Sequence, residues 1–278
     1  MRVVILTGSE LRHSFLRKAF GLADGIEVLL SVCEGEEKSL RSRILRQKDD
    51  GLSTRLREMH VTGREQSEQD FFSSFVSLTP DRSNPLHIPK GDVNTPEMIQ
   101  RIEELNPDLL LCYSSSLIRG SLLRTFKGRF LNVHLGLSPY YRGSGTNLWP
   151  LINGEPEYVG ATFMHIDEGI DTGEIIHQIR ARVIPGDSPH QIGNRLISDM
   201  VAAYIELVRN FKALQPMGQL PIPESARLYK RNDFVEESLE RLYANLESGM
   251  ISAYLRDQEA RDAGAPILVN PGLAGGGA

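Results

Sequence analysis

Three polar residues, Asn132, His134 and Asp171, have the types and the order that an acyl transfer would use. The first two lie in Leu131-Asn-Val-His-Leu-Gly-Leu-Ser-Pro-Tyr-Tyr-Arg-Gly143, the third in His165-Ile-Asp-Glu-Gly-Ile-Asp-Thr-Gly173. Attack of a primary amine on an acyl carbon passes through a tetrahedral species. Its oxygen needs hydrogen-bond donors and its nitrogen must lose a proton. A carboxamide and an imidazole can supply those donors. A carboxylate beside the imidazole favours the charged ring, fixes its tautomer and helps to move the proton.

The surrounding sequence says how these groups are carried. Arg129-Phe-Leu-Asn-Val-His is apolar enough for a short buried strand, and alternation puts Asn132 and His134 on one face at its end. Pro139, Gly143 and Gly145 then take the chain out of the sheet. Polar residues where a strand opens into a loop are where α/β sheets place ligands. A second strand is predicted over residues 158–166 and a third from Glu174 to Ile179, with the Gly-punctuated loop Asp167–Gly173 between them. That loop can present backbone amides and a carboxylate.

Asn-x-His followed by Ser138-Pro139, Arg142-Gly143 and Asp171-x-Gly173 resembles the signature of the 10-formyltetrahydrofolate-dependent formyltransferases, which act on methionyl-tRNA, glycinamide ribonucleotide or amino sugars. The resemblance implies Asn132, His134 and Asp171 as catalytic residues and 10-formyltetrahydrofolate as co-substrate. It implies folate contacts from Ser115, Ser116, Leu117 and Ile118, together with Glu168 and Gly169, and acceptor contacts from Ser138, Arg142 and Gly143. Three consecutive serines, Ser114 to Ser116, depart from the family pattern, as does Gly145-Thr-Asn-Leu-Trp-Pro. A backbone-mediated folate pocket survives the first departure. The second leaves the acceptor open. Arg142 could meet a phosphate or carboxylate of the acceptor, or pair with a nearby acid.

The other histidines, His13, His60, His87, His165, His177 and His190, sit in no metal-ligand spacing, so no metal is expected. Gly8-Ser-Glu-Leu lacks the pattern of a dinucleotide-binding turn. Trp149, the only tryptophan, is expected to anchor packing. Cys33 and Cys112 read as buried free thiols in a reducing compartment. A net charge of −5 gives no basic footprint for nucleic acid, and no run of apolar residues is long enough to span a bilayer. The expectation is a cytoplasmic, soluble enzyme with a small-molecule partner and no nucleic acid or membrane.

Strand, helix, strand from Val3 to Val32 begins a βαβ unit, hence a Rossmann-like, mainly parallel α/β sheet with helices on both faces. The charged stretch from Glu34 to Ser77 reads as one or two solvated helices or an insertion. Thr95 is placed to cap a helix running to Leu105, and Asp187 or Ser188 to cap a long one ending near Phe211. The expected organisation is a formyltransferase-like catalytic domain over residues 1–212, a linker with a small helical appendage over 213–262, and a disordered tail over 263–278. One amphipathic helix is expected from Glu236 to about Leu255, and packing of such helices between two copies would make a homodimer. Methionyl-tRNA members of the family carry a β-barrel domain after the catalytic one, whereas the residues after Phe211 here look helical. A nucleotide-linked amino sugar is therefore the favoured acceptor. Methionyl-tRNA, glycinamide ribonucleotide, a carbamoyl-type acyl transfer and a non-catalytic relative remain the alternatives.

Overall fold

The computed structural model describes residues 1–35, 52–224 and 226–273. In chain order, β1 (Arg2–Gly8), α1 (Leu11–Leu22) and β2 (Glu27–Gly35) are followed by the long α2 (Leu52–Leu78) and β3 (Pro85–Pro89). Next come α3 (Pro96–Leu105), β4 (Leu109–Tyr113), α4 (Ser121–Thr125), β5 (Phe130–His134) and β6 (Tyr141–Gly143). A short α5 (Trp149–Ile152) leads to β7 (Gly160–His165), β8 (Ile175–Arg180) and α6 (Pro189–Arg209). Beyond these lie β9 (Arg227–Tyr229), α7 (Glu236–Glu247), α8 (Met250–Arg256) and α9 (Gln258–Gly264).

Seven strands form one sheet in the order β3-β2-β1-β4-β5-β7-β8. The pairings from β3 through to β5 are parallel, and those of β5 with β7 and β7 with β8 are antiparallel. The expected α/β architecture is therefore present. Because the chain winds outward from β1 and returns beside it as β4, the sheet has its topological switch between those two strands, where α/β folds open a crevice.

Alternation sorts the strand residues into two cores. Val3, Ile5, Leu109 and Leu111 face the side covered by α1, α2 and α6. Val4, Leu6, Leu110 and Cys112 face the side covered by α3 and α4. On β5, Leu131 and Val133 join the first core and Phe130 the second, so Asn132 and His134 share the parity of Phe130. Thr95 caps α3, its hydroxyl accepting from the Met98 amide. Ser188 caps α6 in a reciprocal pair with Gln191. Both thiols are free and buried, and burial pushes that of Cys112 up to about 11. Among the described residues, no helix is long and apolar enough to cross a membrane.

Three expectations are corrected. Residues 52–78 form one helix, and it is not merely solvated: Arg57, His60, Val61 and Phe72 are buried, so its packed face mixes polar with apolar groups and shows little apolar periodicity. The basic residues Lys38, Arg41, Arg43, Arg46 and Lys48 lie outside the described residues. The helix expected from Glu236 to Leu255 is broken between α7 and α8, where Gly249 adopts a left-handed conformation with φ 83°. The tail expected to be disordered from residue 263 is instead packed as far as residue 273. Leu268 O accepts from the Gln178 amide at 2.7 Å, and fully buried Asn270 donates to Ile176 O at 3.0 Å, giving β8 an edge partner without a strand signature. Residues 274–278 lie outside the described residues.

Burial also fixes the charge state of several histidines. It drives the imidazole of His60 down to about 3 and those of His177 and His190 to about 4, so all three are neutral at pH 7. An unfolded imidazole takes up its proton near pH 6.5, so the unfolded chain binds more protons between that value and each folded one. Stability should be complete above about pH 6.5 and fall below it by about 1.4 kcal/mol per pH unit for each such ring. Thermal melts from pH 7.5 to 5 are expected to show a declining midpoint, with a shallower decline for His60→Gln.

Candidate active site

A cavity of about 1140 Å³ opens at the carboxyl ends of β1, β2, β4 and β5. Asn132, His134 and Asp171 all line it, which brings together on one wall residues that the sequence holds on two separate segments. Asn132 comes from within β5 and His134 from its end. Asp171 comes from the loop between β7 and β8, delivered by the antiparallel pairing of β7 against β5.

His134 is buried, and its Nδ1 lies 3.3 Å from Asp171 Oδ2. Its Nε2 lies 3.2 Å from Tyr141 O and 3.1 Å from the Thr146 hydroxyl. That hydroxyl donates to Leu135 O at 2.6 Å, so its oxygen is left to accept from the ring. Both ring nitrogens thus face oxygen acceptors. Thr146 carried no sequence signal, because a threonine in a Gly-rich loop is ordinary. Gly136 makes room for the arrangement: a Cβ there would meet both His134 Nε2 and Thr146.

Asp171 is held from two sides. Its Oδ2 also accepts the Gly143 amide at 2.9 Å, and its own backbone is left-handed, with φ 52°. The loop is braced from within by Asp167, which accepts from the Gly169 amide and from the Thr172 hydroxyl, each at 2.9 Å. Gly173 closes it against β7, where any side chain would run into His165 O.

Beside this cluster, Ser115, Ser116, Leu117 and Ile118 line the cavity as the loop leaving β4, and Gly169 lines it as well. The loop is tied down by Glu34 at the end of β2, a fully buried carboxylate that accepts the amides of Ser116 and Gly91. Glu34 was missed from sequence, since only the parallel register brings it to this loop. Half-exposed Leu117 and Ile170 provide apolar surface.

Of the residues expected to meet the acceptor, only Gly143 is on the cavity wall. Ser138 is buried below it, its amide donating to Thr162 and its carbonyl accepting from Gln178, because the chain dives under β7 before returning as β6. Arg142 has a buried Nε and does not line the cavity, alternation along β6 having turned it away from Gly143. Glu168 is exposed and off the wall, between Asp167 and Gly169, which are on it. Arg12, Arg57 and Arg64 also line the cavity, Arg12 pairing with Glu10 and Glu68, Arg64 with Glu10 and Arg57 with Glu236, so these charges are partly neutralised by carboxylates brought from different elements. Trp149 is a packing anchor, stacked on Tyr229 at 4.2 Å. Among the described residues, no cluster of three or more His, Cys, Asp or Glu side chains has the geometry to hold a metal.

The sequence profile of the family described as Formyl transferase matches residues 42–208, which include all three candidate catalytic residues. A methionyl-tRNA formyltransferase of Desulforamulus reducens is 36% identical over 113 residues, 40% of this chain and 35% of that one. The corresponding protein of Geobacter metallireducens is 36% identical over 105 residues, 37% and 33% of the two chains. The chain therefore spans about a third of the length of the curated relatives it matches. Among solved structures, phosphoribosylglycinamide formyltransferase from Anaplasma phagocytophilum superposes with a TM-score of 0.55 at 13% identity, covering 80% of this chain and 97% of that one. Glycinamide ribonucleotide transformylase 1 from Symbiobacterium toebii gives 0.52 at 20% identity, covering 78% and 91%. At such identities the two superpositions establish the fold.

Proposed function

The chain belongs to the formyl transferase family, and from that premise we propose that it transfers a formyl group from 10-formyltetrahydrofolate to the primary amine of a small molecule, a nucleotide-linked amino sugar being the favoured class. The observation that carries the reading is the convergence of Asn132, His134 and Asp171 on one cavity wall inside the family-matched segment.

The residues present suit the co-substrate. The 115–118 loop offers backbone groups held by Glu34, and Leu117, Ile118 and Ile170 offer apolar flanks for a flat heterocycle. Asn132 donates from its carboxamide to the formyl oxygen as the amine attacks. His134 donates through the ring N–H that faces Thr146 and Tyr141 O. Asp171 keeps the ring oriented, and through the His134–Asp171 pair the proton that the amine nitrogen sheds is passed to the tetrahydrofolate nitrogen as its bond to the formyl carbon breaks. The 3.3 Å between His134 and Asp171 is looser than a closed charge-assisted bond, and such contacts tighten once reactants are bound.

The acidic balance of the chain and the carboxylate-paired arginines of the cavity support a compact acceptor over a polyanion such as tRNA. The two buried free thiols support a cytoplasmic setting. The test is the absorbance change on consumption of 10-formyltetrahydrofolate, run with a panel of amino-sugar nucleotides, glycinamide ribonucleotide and methionyl-tRNA. Turnover with an amino-sugar nucleotide supports the reading. Turnover with methionyl-tRNA alone replaces the acceptor, and tetrahydrofolate failing to bind at all refutes the donor. For the donor pocket, Glu34→Ala leaves two loop amides unpaired, so tetrahydrofolate is expected to bind roughly tenfold more weakly in calorimetric titration.

A further inference from the structure

The catalytic pair is not held by the sheet alone. The Gly143 amide that fixes Asp171 belongs to β6, a three-residue strand whose one partner strand among the described residues is β9. The register sets Gly143 opposite Tyr229, and Tyr229 O accepts from the Ser144 amide at 2.8 Å. Gly143 has φ 96°, and a Cβ on it would collide with that same carbonyl, so the two backbones lie at the closest approach that a glycine permits. Strand β9 lies beyond residue 208, where the family match ends.

The side chain of Tyr229 sets the position of β9. Its ring is stacked between Trp149, with centroids 4.2 Å apart and planes 16° apart, and Tyr141, with centroids 5.8 Å apart and planes 6° apart. Its hydroxyl accepts from Asn153 Nδ2 at 2.8 Å, and the same amide nitrogen donates to the Tyr141 hydroxyl at 2.9 Å. Trp149 in turn donates through Nε1 to Ser144 O at 3.1 Å, closing a ring of contacts around Gly143. Tyr229 also lines the cavity.

We infer that Tyr229 is a positioning residue for the His134–Asp171 pair: the aromatic stack pins β9, β9 pins β6, and β6 presents the Gly143 amide that holds the Asp171 carboxylate against the imidazole. As an account of catalysis this rests on the formyl-transfer reading; as an account of geometry it does not. In the full chain labelled with ¹⁵N-histidine, Tyr229→Ala is expected to displace the ring-nitrogen signals of His134 in the same direction as Asp171→Asn. Tyr229→Phe, which keeps the stack, leaves them in place. Where the wild-type protein turns over, Tyr229→Ala should lower kcat roughly tenfold to a hundredfold at saturating substrates, and Tyr229→Phe should rescue most of it. Tyr229→Leu, which keeps more bulk in the wall, is read in the same way if the alanine variant does not fold. His134 signals unmoved in both Ala and Leu variants overturn the inference, as does a loss confined to KM. If the wild type moves no formyl group to any amine in the panel, the proposed activity fails while the His134 signals still decide the positioning role.

Discussion

Asp171→Asn is expected to lower kcat by roughly two to three orders of magnitude, and His134→Ala by a similar factor, while the double variant loses little more than the worse single. Near-coincidence of the three values follows from the geometry. Asp171 reaches the reaction only through His134 and Gly143, so once the imidazole is gone its carboxylate has lost the group it serves. The choice of asparagine matters. Asp171 sits at φ 52°, a left-handed conformation that asparagine tolerates better than alanine, so Asp171→Ala would mix a backbone penalty with the loss of charge. Asparagine keeps the size, and its carboxamide oxygen can still accept from Gly143 while carrying no charge opposite the ring. Single-turnover rates for the three variants, with thermal melts confirming intact folding, check the prediction. Full additivity, with the double variant down by the product of the singles, would mean that the two residues act independently.

Gly173→Ala should be nearly as damaging to activity with no change in any reacting group. The added methyl would fall inside the van der Waals envelope of His165 O, a backbone atom of β7 that cannot swing aside. Either the β7–β8 connection opens or the Asp167–Gly173 loop shifts, and Asp171 moves with it. A displacement of about 1 Å is enough to cost on the order of a hundredfold in rate, and the overpacking itself roughly 1–3 kcal/mol of stability. The paired measurement is kcat beside the urea midpoint. A variant that melts normally and turns over normally would show that the loop tolerates what the static geometry forbids.

Much of the candidate site was legible before any fold was known, for a definite reason. Asn132 and His134 are two residues apart on a strand, so their common face follows from the period of β structure alone. The caps at Thr95 and Ser188 are local in the same sense, depending on a hydroxyl and the amides one turn ahead. What escaped was set by distant chain. Glu34 reaches Ser116 across 82 residues, and Tyr229 answers Gly143 across the gap between β6 and β9. Ser138, Arg142 and Glu168 neighbour site residues in sequence, yet a dive under β7, strand alternation and loop exposure keep their side chains off the cavity wall. The tail read as disordered for its glycines, while Ala265 and Asn270 are buried against the body of the fold.

By itself, the sequence determined which residues could perform the chemistry, the strand that presents two of them and the α/β class, because these depend on side-chain type and on periods of two to four residues. The tertiary structure alone decided that Asp171 meets His134, that Thr146 and Tyr141 occupy the other ring nitrogen, and that β9 braces the pair. These contacts join segments far apart along the chain, and only the packing of the sheet and its aromatic clamp sets the distances between them.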